Sequence, residues 1–153
     1  MLRSRFPALL VCIFATVHFA KAQSTSSRLN YISIARPEDQ SSLLAATDVL
    51  DLFMKAGRQD DAESGAKLLA LYEQYEPRAV FHTEKLYHRQ RGLFEGYRSI
   101  AKDLYGYEIK PSFLGETIAM EGRVETEDGF SNEFSAELVY YGHRWRITKI
   151  NFD

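Results

Sequence analysis

Cysteine is almost missing from this chain, with Cys12 the single one among 153 residues. One cysteine cannot close an intrachain disulfide or supply the several thiolates of a structural zinc site. Long apolar runs are missing as well, since the longest uncharged stretch, 6–20, has 15 residues. A membrane-spanning helix needs about 20 apolar residues. A permanent transmembrane helix is therefore not expected.

The first 22 residues have the three parts of a secretory signal. Arg3 and Arg5 precede the uncharged stretch, and Ala20-Lys21-Ala22 has the small-x-small pattern that signal peptidase cleaves. We expect cleavage between Ala22 and Gln23 and an exported product, periplasmic or secreted, with no stable membrane insertion afterwards. Because Cys12 leaves with this leader, we expect the mature chain to contain neither a disulfide nor a thiol nucleophile.

The charge balance argues against a nucleic-acid partner. The leader contains three of the 19 basic residues and none of the 21 acidic ones. The mature chain therefore has 16 basic and 21 acidic side chains, a net charge of −5 with neutral histidine. Nucleic-acid binding needs an excess of Lys and Arg against the phosphates. The sequence also lacks a G-x-S-x-G elbow, a glycine-rich phosphate loop and H-E-x-x-H. We expect no nucleic acid and no cofactor.

The first half of the mature chain has helical periodicity. Residues 23–36 lack a period and are predicted to form a flexible N-terminal segment, followed by a single domain over 37–153. The first predicted helix begins at Pro37 and ends at Gly57. The second begins at Asp60, in a capping box with Glu63, and ends at Pro77. The third covers residues 83–106.

After Gly106 the apolar residues recur at every second position, which predicts strands. The first predicted strand is broken near Pro111, and Asp128-Gly129 and Gly142-His143 predict hairpin turns. A slip in the apolar phase predicts a β-bulge near Thr148-Lys149, which would curve the sheet. Helices first and antiparallel hairpins last predict an α+β fold, with three helices packed on a curved sheet of about four strands.

The order of these elements resembles that of a known superfamily. A helical first half, a long third helix and hairpins that close with Gly142-His143-Arg144-Trp145-Arg146-Ile147 are similar to the nuclear transport factor 2-like proteins, which include SnoaL-like cyclases and ketosteroid isomerases. The resemblance covers residues 37–152 and lies in the element order and the final G-x-x-W-x-I strand, neither of which is a catalytic motif. It implies a cone, in which a curved sheet wraps the helices and leaves a pocket between them.

The resemblance also implies where a site would lie. Enzymes of this kind project an acid or base into the pocket, where burial raises its pKa. Asp48 and Asp51 lie beside the apolar stripe of the first predicted helix, and either one, with Tyr87 or Tyr97 as electrophile, would be able to enolise a carbonyl. The alternative is that both aspartates face water. The residues predicted to contact a ligand are Tyr87, Phe94, Tyr97 and Trp145.

A metal site is a weaker interpretation. His82, Glu84 and His88 contain two imidazoles and a carboxylate, the ligand types that zinc accepts. Their spacing matches no metal motif, and Glu84 with His88 is equally an ordinary surface pair four residues apart on a helix. We therefore expect no bound metal.

No catalytic set is assembled in this sequence, which favours a non-catalytic binding domain. It would take a small apolar ligand in the pocket or a protein partner on the sheet face. An isomerase-like or cyclase-like enzyme is the first alternative, and a periplasmic inhibitor or immunity-type protein is the second. The uncovered sheet face also offers a route to a homodimer, through the strand that carries Ser135, Glu137, Val139 and Tyr141.

Overall fold

The computed structural model describes residues 38–101, 106–113 and 115–153. The predicted signal peptide and N-terminal segment lie outside these residues. The described helices are α1 (Gln40–Arg58), α2 (Ala62–Ala66), α3 (Glu76–Arg89) and α4 (Arg91–Glu95). The described strands are β1 (Tyr97–Ile100), β2 (Gly106–Ser112), β3 (Gly115–Thr126), β4 (Ser131–Tyr141) and β5 (Arg144–Phe152). The predicted α+β fold, with helices packed on a curved antiparallel sheet, is confirmed.

Strand β3 is the centre of the sheet. Both β1 and β2 pair with one of its edges, β4 pairs with the other edge, and β5 pairs with β4, all antiparallel. Glu137 pairs with Lys149 and Leu138 with Ile147, so Thr148 is an extra residue in β5. The predicted β-bulge is therefore confirmed.

Helix α1 forms as predicted and covers one face of the sheet. Its buried positions recur every three or four residues, at Leu43, Ala46, Leu50 and Phe53, each at most 1% exposed. These side chains join residues of the strands, such as Ile118, in one hydrophobic core. None of the helices among the described residues combines the length and the apolar character needed to span a bilayer.

The second predicted helix is wrong in its length and in its cap. Helix α2 ends at Ala66, and the chain continues through turns in which Leu69 forms a parallel bridge with Ile147 of β5. The backbone of this segment pairs with the free edge of β5, which competes with helix formation. Asp61, rather than Asp60, caps α2 by accepting a 2.9 Å hydrogen bond from the backbone N–H of Ser64. The hydrogen bonds from Ser64 lower the pKa of Asp61.

The third predicted helix is wrong at its start and beyond Glu95. It begins at Glu76 rather than at 83, with Pro77 in its first turn. Helix α3 ends at Arg89, α4 follows as a short helix, and Tyr97–Ile100 is strand β1 rather than helix. Glycine at positions 92 and 96 weakens the helix, and the edge of β3 offers backbone partners to residues 97–100. The predicted break at Pro111 is wrong as well, because Pro111 lies inside β2. Proline is tolerated there since β2 pairs with β3 alone among the described strands.

Candidate ligand-binding groove

The four aromatic residues predicted to contact a ligand lie in the packed core. Tyr87, Phe94, Tyr97 and Trp145 are 2%, 1%, 1% and 6% exposed. The rings of Tyr87 and Phe94 pack edge to face, with centroids 4.6 Å apart, whereas Trp145 contacts the ring of Tyr140 at 5.3 Å. The structure therefore brings Tyr87 and Phe94 together and places Trp145 against a different partner.

The hydroxyl of Tyr87 is engaged with the backbone. It donates a 2.9 Å hydrogen bond to the carbonyl oxygen of Phe53, which ties α3 to α1. Burial raises the pKa of Tyr87, so the phenol stays neutral and acts as a donor. Gly65 of α2 leaves room for this hydroxyl, because a Cβ at that position would lie 2.0 Å from the Tyr87 oxygen. These contacts give Tyr87 a structural role.

One of the predicted aspartate–tyrosine pairs is formed. The hydroxyl of Tyr97 donates a 2.6 Å hydrogen bond to Oδ1 of Asp51, and Lys55 Nζ lies 2.6 Å from Oδ2 of the same carboxylate. The side chain of Asp51 is 32% exposed, and Asp48 is exposed on the neighbouring part of α1. Both oxygens of Asp51 are thus occupied at the protein surface, an arrangement that ties α1 to β1.

The metal candidates are not gathered into a site. Nε2 of His88 lies 4.0 Å from Oε1 of Glu84, at the outer limit of an ion pair. The ring of His82 instead accepts a 3.3 Å hydrogen bond from Nε of Arg78. Within 38–101, 106–113 and 115–153, no three His, Cys, Asp or Glu side chains are close enough to hold a metal ion.

A groove of about 460 Å³ opens between α3, residues 69–74 and β5. We call it the groove. The bridge between Leu69 and Ile147 closes one side of it, and α3 forms the opposite wall. Most of its accessible lining is carbon, and its apolar lining residues include Phe53, Leu69, Leu71, Leu86, Ile147 and Ile150. Its volume falls within the roughly 300–1,000 Å³ of small-molecule sites.

Polar groups in the groove stand mainly at its rim. His82 of α3 and Lys149 of β5 are both exposed and both line it, as does the exposed amide of Gln74. Thr83 is buried, but its hydroxyl donates to the carbonyl of Ala79 at 2.9 Å and is thereby satisfied. Among the residues that the structure describes, no Asp or Glu side chain lines the groove. The groove is therefore an apolar trough with one cationic side chain, Lys149, at its edge.

A second cavity, of about 350 Å³, lies on the sheet face that the helices leave uncovered. We call it the outer-face pocket. Its lining combines polar and apolar surface and carries charges of both signs, including Glu121, Glu137 and Lys149. The predicted exposure of this face is wrong at Val139, which is 3% exposed. The reason is that Arg146, its partner in the register, hydrogen bonds to residues 67 and 73 and holds that segment against the sheet.

Sequence reasoning did not identify the groove. Leu69 and Leu86 lie within the second and third predicted helices, where apolar residues are expected to face the core. The signal for the groove lies in the failed second helix, because the turns over residues 69–74 hold Leu69, Leu71 and Gln74 apart from α3.

No protein-family model matches this chain, and no curated protein matches it. Function is therefore inferred from the geometry of the groove.

Proposed function

We propose that this chain is an exported, non-catalytic binding domain of the cone-like type, which takes a small apolar ligand in the groove. The single observation that carries this proposal is an open groove of about 460 Å³ whose accessible lining is mostly carbon. Burial of apolar ligand surface against such a lining contributes about 25 cal/mol per Å². The bridge at Ile147 and the satisfied hydroxyl of Thr83 support a preformed lining.

The placement of Asp51 favours binding over catalysis. A general base must reach substrate, and burial in an apolar pocket is what tunes its pKa for that task. Asp51 lies at the surface in contact with Lys55 and Tyr97, and it lines neither the groove nor the outer-face pocket. The hydroxyl of Tyr87 already donates a hydrogen bond to the carbonyl oxygen of Phe53. The isomerase-like alternative therefore has less support than the binding proposal.

Membership of the nuclear transport factor 2-like superfamily is part of the proposal. The α+β layout, the antiparallel hairpins and the bulge at Thr148 support it. A fold of this type hosts many functions, so the ligand is argued from the groove and not from the superfamily.

Filling the groove tests the binding proposal. Ala70 is half-buried and lines the groove, so Ala70→Trp would place an indole in the space that the ligand needs. We expect the wild-type chain to bind the neutral fluorescent probe phenylnaphthylamine. The affinity of Ala70→Trp for this probe should be lower by a factor of about ten or more, which is a loss of about 1.4 kcal/mol or more in binding free energy. Fluorescence titration measures both constants.

Ala119→Trp is the matched control for this experiment. Ala119 is exposed on β3 and lines the outer-face pocket, so the same substitution there leaves the groove open. This variant should bind the probe with wild-type affinity. If the wild-type chain fails to bind the probe, or if the two tryptophan variants bind equally well, the binding proposal is wrong.

Export has its own test. When the full chain is produced in a bacterium with a secretory pathway, the intact mass of the periplasmic product should correspond to a chain that begins at Gln23. Ala22→Arg should block cleavage, because signal peptidase requires a small residue at that position. Full-length wild-type protein confined to the cytoplasm would contradict export, but it would not bear on the binding proposal.

A further inference from the structure

We infer that the ligand of the groove is a single-chain amphiphile with a carboxylate head group. This inference rests on the proposed function, because it names the ligand class of the same groove. It goes further in assigning separate tasks to the carbon lining and to Lys149 at the rim. The head group lies at the open edge of the groove, and the hydrocarbon chain lies inside it.

The inner part of the groove suits hydrocarbon. The side chains of Leu69, Leu86 and Ile147 line it from three different elements, and Phe53, which is fully buried, closes its floor. The one polar side chain at this depth is Thr83, whose hydroxyl is already bonded to the carbonyl of Ala79. A polar ligand group placed there would lose its hydration without gaining a partner, which costs free energy.

The β5 side of the rim carries a cation that is available to a ligand. Lys149 lines both the groove and the outer-face pocket, so it lies on the border between them. Its ammonium is 3.5 Å from a carboxylate oxygen of Glu137, and both side chains are more than half exposed. Exposed pairs of this kind contribute little to stability. The ammonium of Lys149 can therefore turn from Glu137 towards a head group in the groove at small cost.

On the α3 side, a positive charge lies next to the rim, although Arg78, which carries it, does not itself line the groove. Nε of Arg78 donates to Nε2 of His82, which places a guanidinium next to an imidazole that lines the groove. Lys149 is thus the one Lys or Arg among the described residues that line the groove, and none of these lining residues is acidic. This edge contrasts with the mature chain as a whole, which the sequence predicts to carry a charge of −5.

A carboxylate at this edge gains more than a neutral head group would. Hydrogen bonds between an ammonium and a carboxylate are about twice as strong as neutral ones. The open edge also lets the head group keep part of its hydration, so the desolvation cost of a buried ion pair is avoided. An alcohol of the same chain length would fill the groove equally well and would gain no charge-assisted bond.

Dodecanoate and dodecanol form the matched pair of probes. We expect the wild-type chain to bind dodecanoate about tenfold more tightly than dodecanol at neutral pH, the ratio that one charge-assisted hydrogen bond provides. Lys149→Gln should remove most of this preference and leave dodecanol binding unchanged. Lys85→Gln removes the same charge from an exposed position on α3 that does not line the groove, and it should retain the preference. Isothermal titration calorimetry measures all affinities.

The outcomes separate this inference from the proposed function. If both probes bind equally to the wild-type chain and Ala70→Trp abolishes both, the groove binds apolar ligands and the carboxylate inference is wrong. If Lys149→Gln and Lys85→Gln weaken dodecanoate binding to the same degree, the effect is general electrostatics and the inference is also wrong. If neither probe binds and phenylnaphthylamine does not bind, the proposed function itself fails.

Discussion

A Gly57→Ala variant is expected to lose about 3 kcal/mol of unfolding free energy, the upper part of the range for overpacking a core. Gly57 lies near the end of α1, where a Cβ would come within 2.3 Å of Cδ1 and 2.8 Å of Cε1 of Phe94. The Phe94 ring has little room to move, because it packs edge to face against Phe53, Tyr87 and Phe152. Urea unfolding followed by circular dichroism measures the loss.

Gly92→Ala is the matched control for this prediction. Gly92 lies in α4, and a Cβ there would meet nothing within 4 Å among the described residues. Alanine is favoured over glycine in helices by up to about 1 kcal/mol, so this variant should be as stable as the wild-type chain or more stable. The same glycine-to-alanine change is thus expected to lower the unfolding free energy at position 57 and to preserve or raise it at position 92. Equal stability of the two variants would contradict the packing of α1 against Phe94.

The elements that the sequence predicts well are those with a local signal. The apolar side chains of α1 recur at the helical period and continue until Gly57, so its length needs no knowledge of the rest of the fold. The bulge at Thr148 also has a local signal, because an extra residue shifts every later apolar side chain of the strand by one position. The hairpin at Gly142 and His143 also has a local origin, and both residues adopt positive φ.

The elements that the sequence predicts poorly depend on partners distant in the chain. Residues 97–100 form a strand because β3 offers them an edge, although Tyr97 and Ile100 also fit a helical stripe. Residues 68–70 leave the predicted helix because their backbone bonds to Ile147, 77 to 79 positions later. The groove exists only through this second pairing. It therefore has no local signal in the sequence. The contact between Asp51 and Tyr97, in contrast, is one of the aspartate–tyrosine pairs that the sequence predicts.

Arg146 and Glu73 form an ion pair in which only the arginine is buried, so substitutions of the two residues are expected to differ in cost. Arg146 is 5% exposed, and its guanidinium donates to the carbonyl oxygen of Lys67 and to the carboxylate of Glu73. The Nε atom is buried and has no hydrogen-bond partner in the part of the chain that the structure describes. The side chain of Glu73, in contrast, is 41% exposed. One partner is therefore desolvated and the other is not.

Glu73→Gln is expected to cost about 2 kcal/mol of unfolding free energy, because it leaves a buried guanidinium without its opposing charge. Arg146→Met should cost less, since methionine fills the space with apolar atoms, removes the unsatisfied Nε and leaves Glu73 free to take up water. Glu133→Gln, on an exposed strand position, is the control and should stay within about 0.5 kcal/mol of wild type. Denaturant unfolding of the three variants gives the order. If Arg146→Met proves the more damaging change, the guanidinium contributes more through its bond to Lys67 than through its charge.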